Sequence, residues 1–416
     1  MNFSTIREKI KTTLLRSKKY TGIDVLYYAK NSSWVTLKNI VLAVNGIILS
    51  VIFAYFLSQT SYGEYKYIMS VVALLSFTGL PGMKTAVIMG VSQKYEAVAK
   101  KAITEIIKYS IFGSFILFAL SLYYYTTGNI VFTLSMSYLG MILPFRHIAS
   151  YHQYILEGKK DFGKIFKINL LVACTTTPLT LGTLLLTQKV YIIVVVVITS
   201  QLIINLYFTQ RLLKTLNPNF DLKKISYGKK ISWVSMISIF AQEIDKIIIP
   251  QLLGFSNLAI YSIAILIPRQ LSNFSRQLMQ PALPKLSKWK MTQDNKKFIL
   301  KKFFQLTILM TLMTTLYWIV SPYIMHLLFP KYPESVFYSR IAAISLIMAP
   351  ISLIVFSFHI QSATRIIYKT TIVFTMFRLL FLVLFIPKFG LLGALFAEII
   401  ARMINSTYSL YIFVKK

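Results

Sequence analysis

The 416-residue chain is 56% apolar and 14% charged, with a mean hydropathy of +0.63, too apolar for a soluble protein of this length. Its 45 Lys and Arg against 13 Asp and Glu leave a formal charge of +32, which a bilayer interior cannot hold, so most cations must sit outside the hydrocarbon. One cysteine, Cys174, and four scattered histidines exclude a disulfide framework, a Cys-based metal cluster and HExxH-type ligand spacing, and no cofactor is expected. Nucleic acid is not an expected partner either, because the cations come in short packets between apolar runs of about 20 residues.

The first 33 residues are basic but lack the compact apolar region and cleavage site of a signal peptide. Phe3, Ile6, Ile10 and Leu14 recur at helical spacing with cations between them, predicting an amphipathic helix on an anionic inner leaflet. Apolar runs follow at 34–57, 67–89, 106–125, 130–149, 165–186 and 190–209, then, after a basic linker at 210–230, at 231–253, 258–278, 303–328, 339–358, 367–386 and 391–414. They are too long and continuous for barrel strands. The pattern predicts an all-α, polytopic membrane protein of twelve transmembrane helices, with an N-lobe at 34–209 and a C-lobe at 231–416. Alternate connections hold 32 and 4 of the basic residues, so both termini are expected in the cytoplasm. FLSQTSYGEYKY (56–67) aligns with LLGFSNLAIYSI (252–263) at an offset of 196, and Tyr151-His152 with Phe358-His359 at 207, suggesting that the lobes are parallel repeats.

With Arg146, Lys167 and Lys369, at the basic ends of their spans, counted among the adjoining connections, nine basic residues lie within or at the edges of spans: Lys38, Lys84, Lys108, Lys246, Arg269, Arg276, Arg340, Arg378 and Arg402. Three acids, Glu243, Asp245 and Glu398, join them. An ionised group at the bilayer centre costs about 2.5–3.5 kcal/mol on insertion scales, so each needs a reason to be there. Lys38, Lys84, Lys108 and Arg340 are near span ends and can snorkel to water; the other five are deep. Five of the ten arginines are in spans but only four of the 35 lysines. Arginine's permanent charge and planar five-donor fork suit bidentate phosphate binding in a partly dry cavity.

Polar residues also recur in stripes. Ser262, Arg269, Asn273, Arg276 and Gln280 share a face of the eighth span; Glu398, Arg402, Asn405 and Ser409 do so in the twelfth, Thr371, Thr375 and Arg378 in the eleventh, and Ser235, Ser238, Gln242 and Asp245 in the seventh. Four such stripes can enclose a polar lumen, although Ser and Thr also serve as hydrogen-bonding glue between membrane helices. Glu243 with Lys246 and Glu398 with Arg402 are spaced to pair along their own helices. Asp245 has no such neighbour and needs an Arg from another helix, or carries a proton or Na⁺. Gly79, Pro81, Gly82 and Pro268 are expected bending points.

SYGEYKYIMSVVALLSFTGLPG (61–82), EGKKDFGKIFKINLL (157–171) and IDKIIIPQLLGFSNLAIYSIA (244–264) resemble the polysaccharide transporters, or Wzx-type oligosaccharide flippases, of the multidrug/oligosaccharidyl-lipid/polysaccharide (MOP) flippase superfamily. Pro250 stands where that pattern has a glycine. The resemblance implies a two-lobe, multi-pass protein of the bacterial cytoplasmic (inner) membrane. Such a protein moves an isoprenoid-diphosphate-linked oligosaccharide from the inner to the outer leaflet for surface polysaccharide such as O-antigen, by alternating access and without enzymatic chemistry. On that reading Arg269 and Arg276 hold the diphosphate with Arg378 and Arg402 in support, Asn273 and Gln280 meet the sugar, and Asp245 carries a coupling H⁺ or Na⁺. Other polysaccharide assembly proteins are further expected partners. Alternatives are a multidrug or cation antiporter of the same superfamily, or a membrane enzyme or scaffold of polysaccharide assembly; connections of about ten residues or fewer on the weakly basic side leave little room for a catalytic domain.

Overall fold

The computed structural model describes residues 25–279, 293–360 and 364–415, and among these no strand occurs. The N-terminal amphipathic segment (Phe3, Ile6, Ile10, Leu14) and Gln280 lie outside the described residues. In chain order the helices are α1 (Val25–Phe56), α2 (Gln59–Leu75), α3 (Met83–Ser92), α4 (Val98–Thr126), α5 (Ile130–Ala149), α6 (Tyr151–Gly158), α7 (Phe162–Leu186) and α8 (Val190–Leu213). The second half holds α9 (Leu222–Leu253), α10 (Phe255–Ala264), α11 (Leu266–Met279), α12 (Gln293–Leu328), α13 (Ser335–Ile344), α14 (Ile351–Ile360), α15 (Thr364–Phe389) and α16 (Leu391–Lys415). Each of the twelve predicted spans falls on one of these helices or on a broken pair. Seven described segments are long and apolar enough to cross a membrane unaided, or eight with the bent pair α2 and α3 taken as one.

The breaks follow from local sequence. After α2 a 3-10 turn, Ser76–Gly79, runs into Leu80 at φ 48°, and α3 leaves at 52° to the preceding helix. Glycines are needed there for space: a Cβ on Gly79 would stand 2.7 Å from the His147 ring, and one on Gly82 would collide with the Gly228 carbonyl oxygen. The eighth span breaks at Ile265, which leaves Pro268 in the first turn of α11, where a missing N–H removes no helical hydrogen bond. Between α8 and α9 the non-helical part of the 210–230 linker is 214–221.

The two halves share one buried core, with Tyr62, Ile68 and Phe132 from the first packed among Ile249, Tyr261 and Leu391 from the second. Close approach depends on Gly63 of α2, where a Cβ would collide with the Phe255 carbonyl oxygen. Thr60 and Ser256, which the repeat offset makes equivalent, hydrogen-bond to each other through their hydroxyls at 2.9 Å. At the same end Lys331 Nζ donates to the Tyr55 carbonyl at 2.5 Å and Gln59 Nε2 to the Lys331 carbonyl at 3.0 Å. At the basic end Gly82 N donates to Ser232 Oγ at 3.0 Å, and Lys229 pairs with Glu105 at 2.6 Å. Outside the core, Ile308, Leu312, Leu316 and Ile319 form an exposed row along α12, a face suited to lipid rather than water.

Candidate functional site

Charge gathers where α9, α10, α11, α15 and α16 converge. Asp245 of α9 is fully buried. Its Oδ2 accepts from the Tyr261 hydroxyl of α10 at 2.5 Å and from Arg378 Nη2 of α15 at 2.9 Å, while Oδ1 accepts from the Lys246 backbone N–H at 2.9 Å. The same Arg378 Nη2 reaches Glu398 Oε2 of α16 at 3.3 Å, and Nη1 donates to the Ala241 carbonyl. Glu398 Oε1 in turn accepts from Arg402 Nε at 2.9 Å and Nη2 at 2.6 Å. The Arg378 guanidinium lies 5.8 Å from the Phe374 ring centroid, one helical turn earlier.

Helix packing sets this geometry. Helices α15 and α16 turn on Gly390, at φ 59°, and close against each other at Gly393, where a Cβ would collide with the Phe385 carbonyl oxygen. That contact brings Arg378 and Glu398 together across 20 residues of chain. Desolvation nearly cancels the attraction within a buried ion pair, so the cluster is weak as a source of stability. It does determine which charges remain free.

Arg269 lies in electrostatic range of Glu398 and Asp245 but is paired with neither. It sits in the first turn of α11, its backbone N–H bonded to the Ile265 carbonyl at 3.0 Å, and its guanidinium forms no hydrogen bond or ion pair with the described residues. With Asn273, Gln242, Thr371, Arg402 and Asn405 it lines a cavity of about 340 Å³ that Arg378 and Glu398 also reach. Among the described residues, Arg269, Arg378 and Arg402 against Glu398 in the lining and Asp245 behind it leave one positive charge in excess. Glu243 and Lys246 neutralise each other at 2.6 Å.

All four predicted stripes contribute to this cavity, but not every member does. Ser238 and Gln242, Arg269 and Asn273, Thr371 and Arg378, and Glu398, Arg402 and Asn405 line it. Ser235 and Thr375 instead return their hydroxyls to the Ile231 and Thr371 carbonyls of their own helices, at 3.1 and 2.8 Å. Ser262 and Ser409 are buried away from the lining. Arg276 follows Arg269 by seven residues on α11, and its side chain lies outside the described ones. Lys66, which the charge count places in a connection, is on α2 with Nζ 5.0 Å from the Tyr62 ring centroid and in electrostatic reach of Glu243 and Arg269. Hydropathy marks a span from its most apolar stretch, and Lys66 falls just outside that stretch.

The architecture matches solved membrane transporters. A structure described as lipid II flippase MurJ in an inward closed conformation superposes with a TM-score of 0.66 at 16% identity, covering 93% of this chain and 88% of that one. A structure of the MATE multidrug transporter DinF-BH gives 0.70 at 10% identity, over 94% and 95%. A MOP superfamily transporter from Pyrococcus furiosus, described as having a binding pocket of reverse polarity, gives 0.61 at 13% identity, over 94% and 96%. At such identities the likeness defines the fold alone. The family model described as polysaccharide biosynthesis protein matches residues 52–336, and the chain belongs to that family. No curated protein sequence matches it.

Proposed function

We propose that the protein is a flippase that moves an isoprenoid-diphosphate-linked oligosaccharide from the inner to the outer leaflet of the bacterial cytoplasmic membrane during assembly of a surface polysaccharide. The observation that carries this reading is Arg269, a guanidinium without a hydrogen bond or ion pair among the described residues, lining a cavity in net positive charge. A diphosphate supplies the anion such a group lacks. Arg276 adds a second contact two helical turns along, Arg378 and Arg402 give secondary support from α15 and α16 as their pairs with Asp245 and Glu398 open, and Asn273 and Gln280 meet the sugar. The family description and the flippase among the fold's relatives agree with this assignment. A cationic drug would meet repulsion in the same cavity, which disfavours the antiporter reading. The test is analysis of lipid-linked oligosaccharides in cells lacking the protein: accumulation on the cytoplasmic leaflet is expected, and an unchanged leaflet distribution would overturn the proposal.

Asp245 is the coupling residue in this scheme. Its carboxylate is engaged by Arg378 and Tyr261, so uptake of H⁺ or Na⁺ there loosens Arg378 and lets the helices rearrange. Asp245→Asn is expected to slow transport while leaving ligand binding intact; normal transport by a stably folded variant would remove Asp245 from the cycle. The same proposal places both termini and the connections around Lys100, Lys160, Lys224, Lys290 and Arg365 in the cytoplasm. Membrane-impermeant thiol reagents should therefore fail to label Lys224→Cys or Lys290→Cys in intact cells, and labelling of either would overturn the orientation.

A further inference from the structure

A second cavity of about 340 Å³ lies in the first half, lined by Lys84 of α3, Arg146 and His147 in the last turn of α5, Tyr154 of α6, and Gln201 and Asn205 of α8. No carboxylate lines it among the described residues. Arg146 makes no hydrogen bond or ion pair among the described residues, and neither does Lys84; Glu157 of α6 lies only in electrostatic range of Lys84. The His147 ring is held in place by Ser110, Oγ to Nδ1 2.7 Å, and by the bare backbone of Gly79, while its Nε2 is buried without a partner. A buried ring nitrogen without a partner, beside a guanidinium without one among the described residues, leaves polar groups unsatisfied. Nothing in the C-lobe cluster completes it, since Arg378 and Glu398 are committed to their own network.

The composition of this lining differs from that of the other cavity. Arg146 and Lys84 supply cationic donors, Gln201 and Asn205 neutral amides, and Tyr154 an aromatic ring with a hydroxyl. Cation, amide and aromatic side chains together suit a sugar that carries an acidic group. The two cavities have separate linings, so with the diphosphate in the C-lobe cavity an acidic group on the glycan is the part of the cargo that suits the cations of the second. We propose that the N-lobe cavity is a glycan site that recognises an acidic sugar, with Arg146 and Lys84 on its carboxylate or phosphate and Gln201 and Asn205 on its hydroxyls. This rests on the reading above that the C-lobe cavity takes the diphosphate, and it makes the substrate class an acidic oligosaccharide.

The test is titration of the full-length protein in lipid nanodiscs with a galacturonic acid oligosaccharide, a galactose oligosaccharide of the same length, galactose 6-phosphate and a short-chain isoprenyl diphosphate. Arg146→Gln is expected to weaken the uronate oligosaccharide about tenfold to a hundredfold, as loss of one charge-assisted contact does, while leaving the isoprenyl diphosphate unchanged. Arg269→Gln should do the reverse. Comparison of the uronate and sugar phosphate arms tells whether carboxylate or phosphate is preferred. Arg146→Lys, a folded reference with the charge retained, should bind the uronate with intermediate affinity. Equal binding of uronate and neutral oligosaccharides to the unmodified protein, or a loss of diphosphate binding in Arg146→Gln as large as the loss of uronate binding, would overturn the glycan site. Isoprenyl diphosphate binding indifferent to Arg269→Gln would instead overturn the diphosphate reading, whatever Arg146 does.

Discussion

Replacing Arg378 with Met is expected to destabilise the protein by about 3–5 kcal/mol, the range for removing one partner of a buried ion pair. Arg378 is 2% exposed and contacts two acids from two other helices. Without it Asp245 keeps only the Tyr261 hydroxyl and a backbone N–H, so a buried carboxylate loses its cation, whereas Glu398 retains Arg402. The double variant Arg378→Met with Asp245→Asn removes both charges and should recover much of the loss. Thermal unfolding of the detergent-solubilised protein reads out both variants. Additive losses in the double variant would mean that the two side chains do not act as a pair.

Arg269→Ala should behave in the opposite way, with little loss of stability and a large loss of transport. Its guanidinium has no partner among the described residues to abandon, so truncation leaves no orphaned acid. Under the diphosphate reading, flipping of the lipid-linked oligosaccharide falls by about tenfold to a hundredfold, the equivalent of about 1.5–3 kcal/mol for a charge-assisted contact. Arg269→Lys recovers only part of it, because a point charge cannot reproduce the two-pronged geometry of the guanidinium. Arg276→Ala is expected to show a loss of similar size. Near-native flipping by both Ala variants at matched membrane abundance would rule out this role for α11.

What could be read before folding was whatever lipid and the helix impose locally. A bilayer demands about 20 apolar residues per crossing, so the spans appear in hydropathy and their positions agree with the helices. Helical geometry places residues three or four apart side by side, so the pairing of Glu243 with Lys246 and of Glu398 with Arg402 follows from spacing alone. The bend at Gly79, Pro81 and Gly82 is likewise legible, because a proline and two glycines within four residues disfavour a continuous helix, although the space the glycines leave is taken by His147 and Gly228 from elsewhere in the chain.

Which stripe faces which depended on tertiary structure. Asp245 and Arg378 are 133 residues apart, and no periodicity within either helix names the other as its partner. Their meeting follows from close contacts between helices that hydropathy does not encode, such as Gly393 against the Phe385 carbonyl. Arg146 shows the same limit from the other side. In sequence it is one more cation at the end of a span and counts with the basic connections. Packing of α3, α6 and α8 around the last turn of α5 places it instead in a cavity without a carboxylate among the described residues. Sequence therefore determined where the apolar stretches lie and which charges pair along one helix, because those are properties of single helices. The tertiary structure decided which charges are cancelled and which stay free, because cancellation requires two helices to touch.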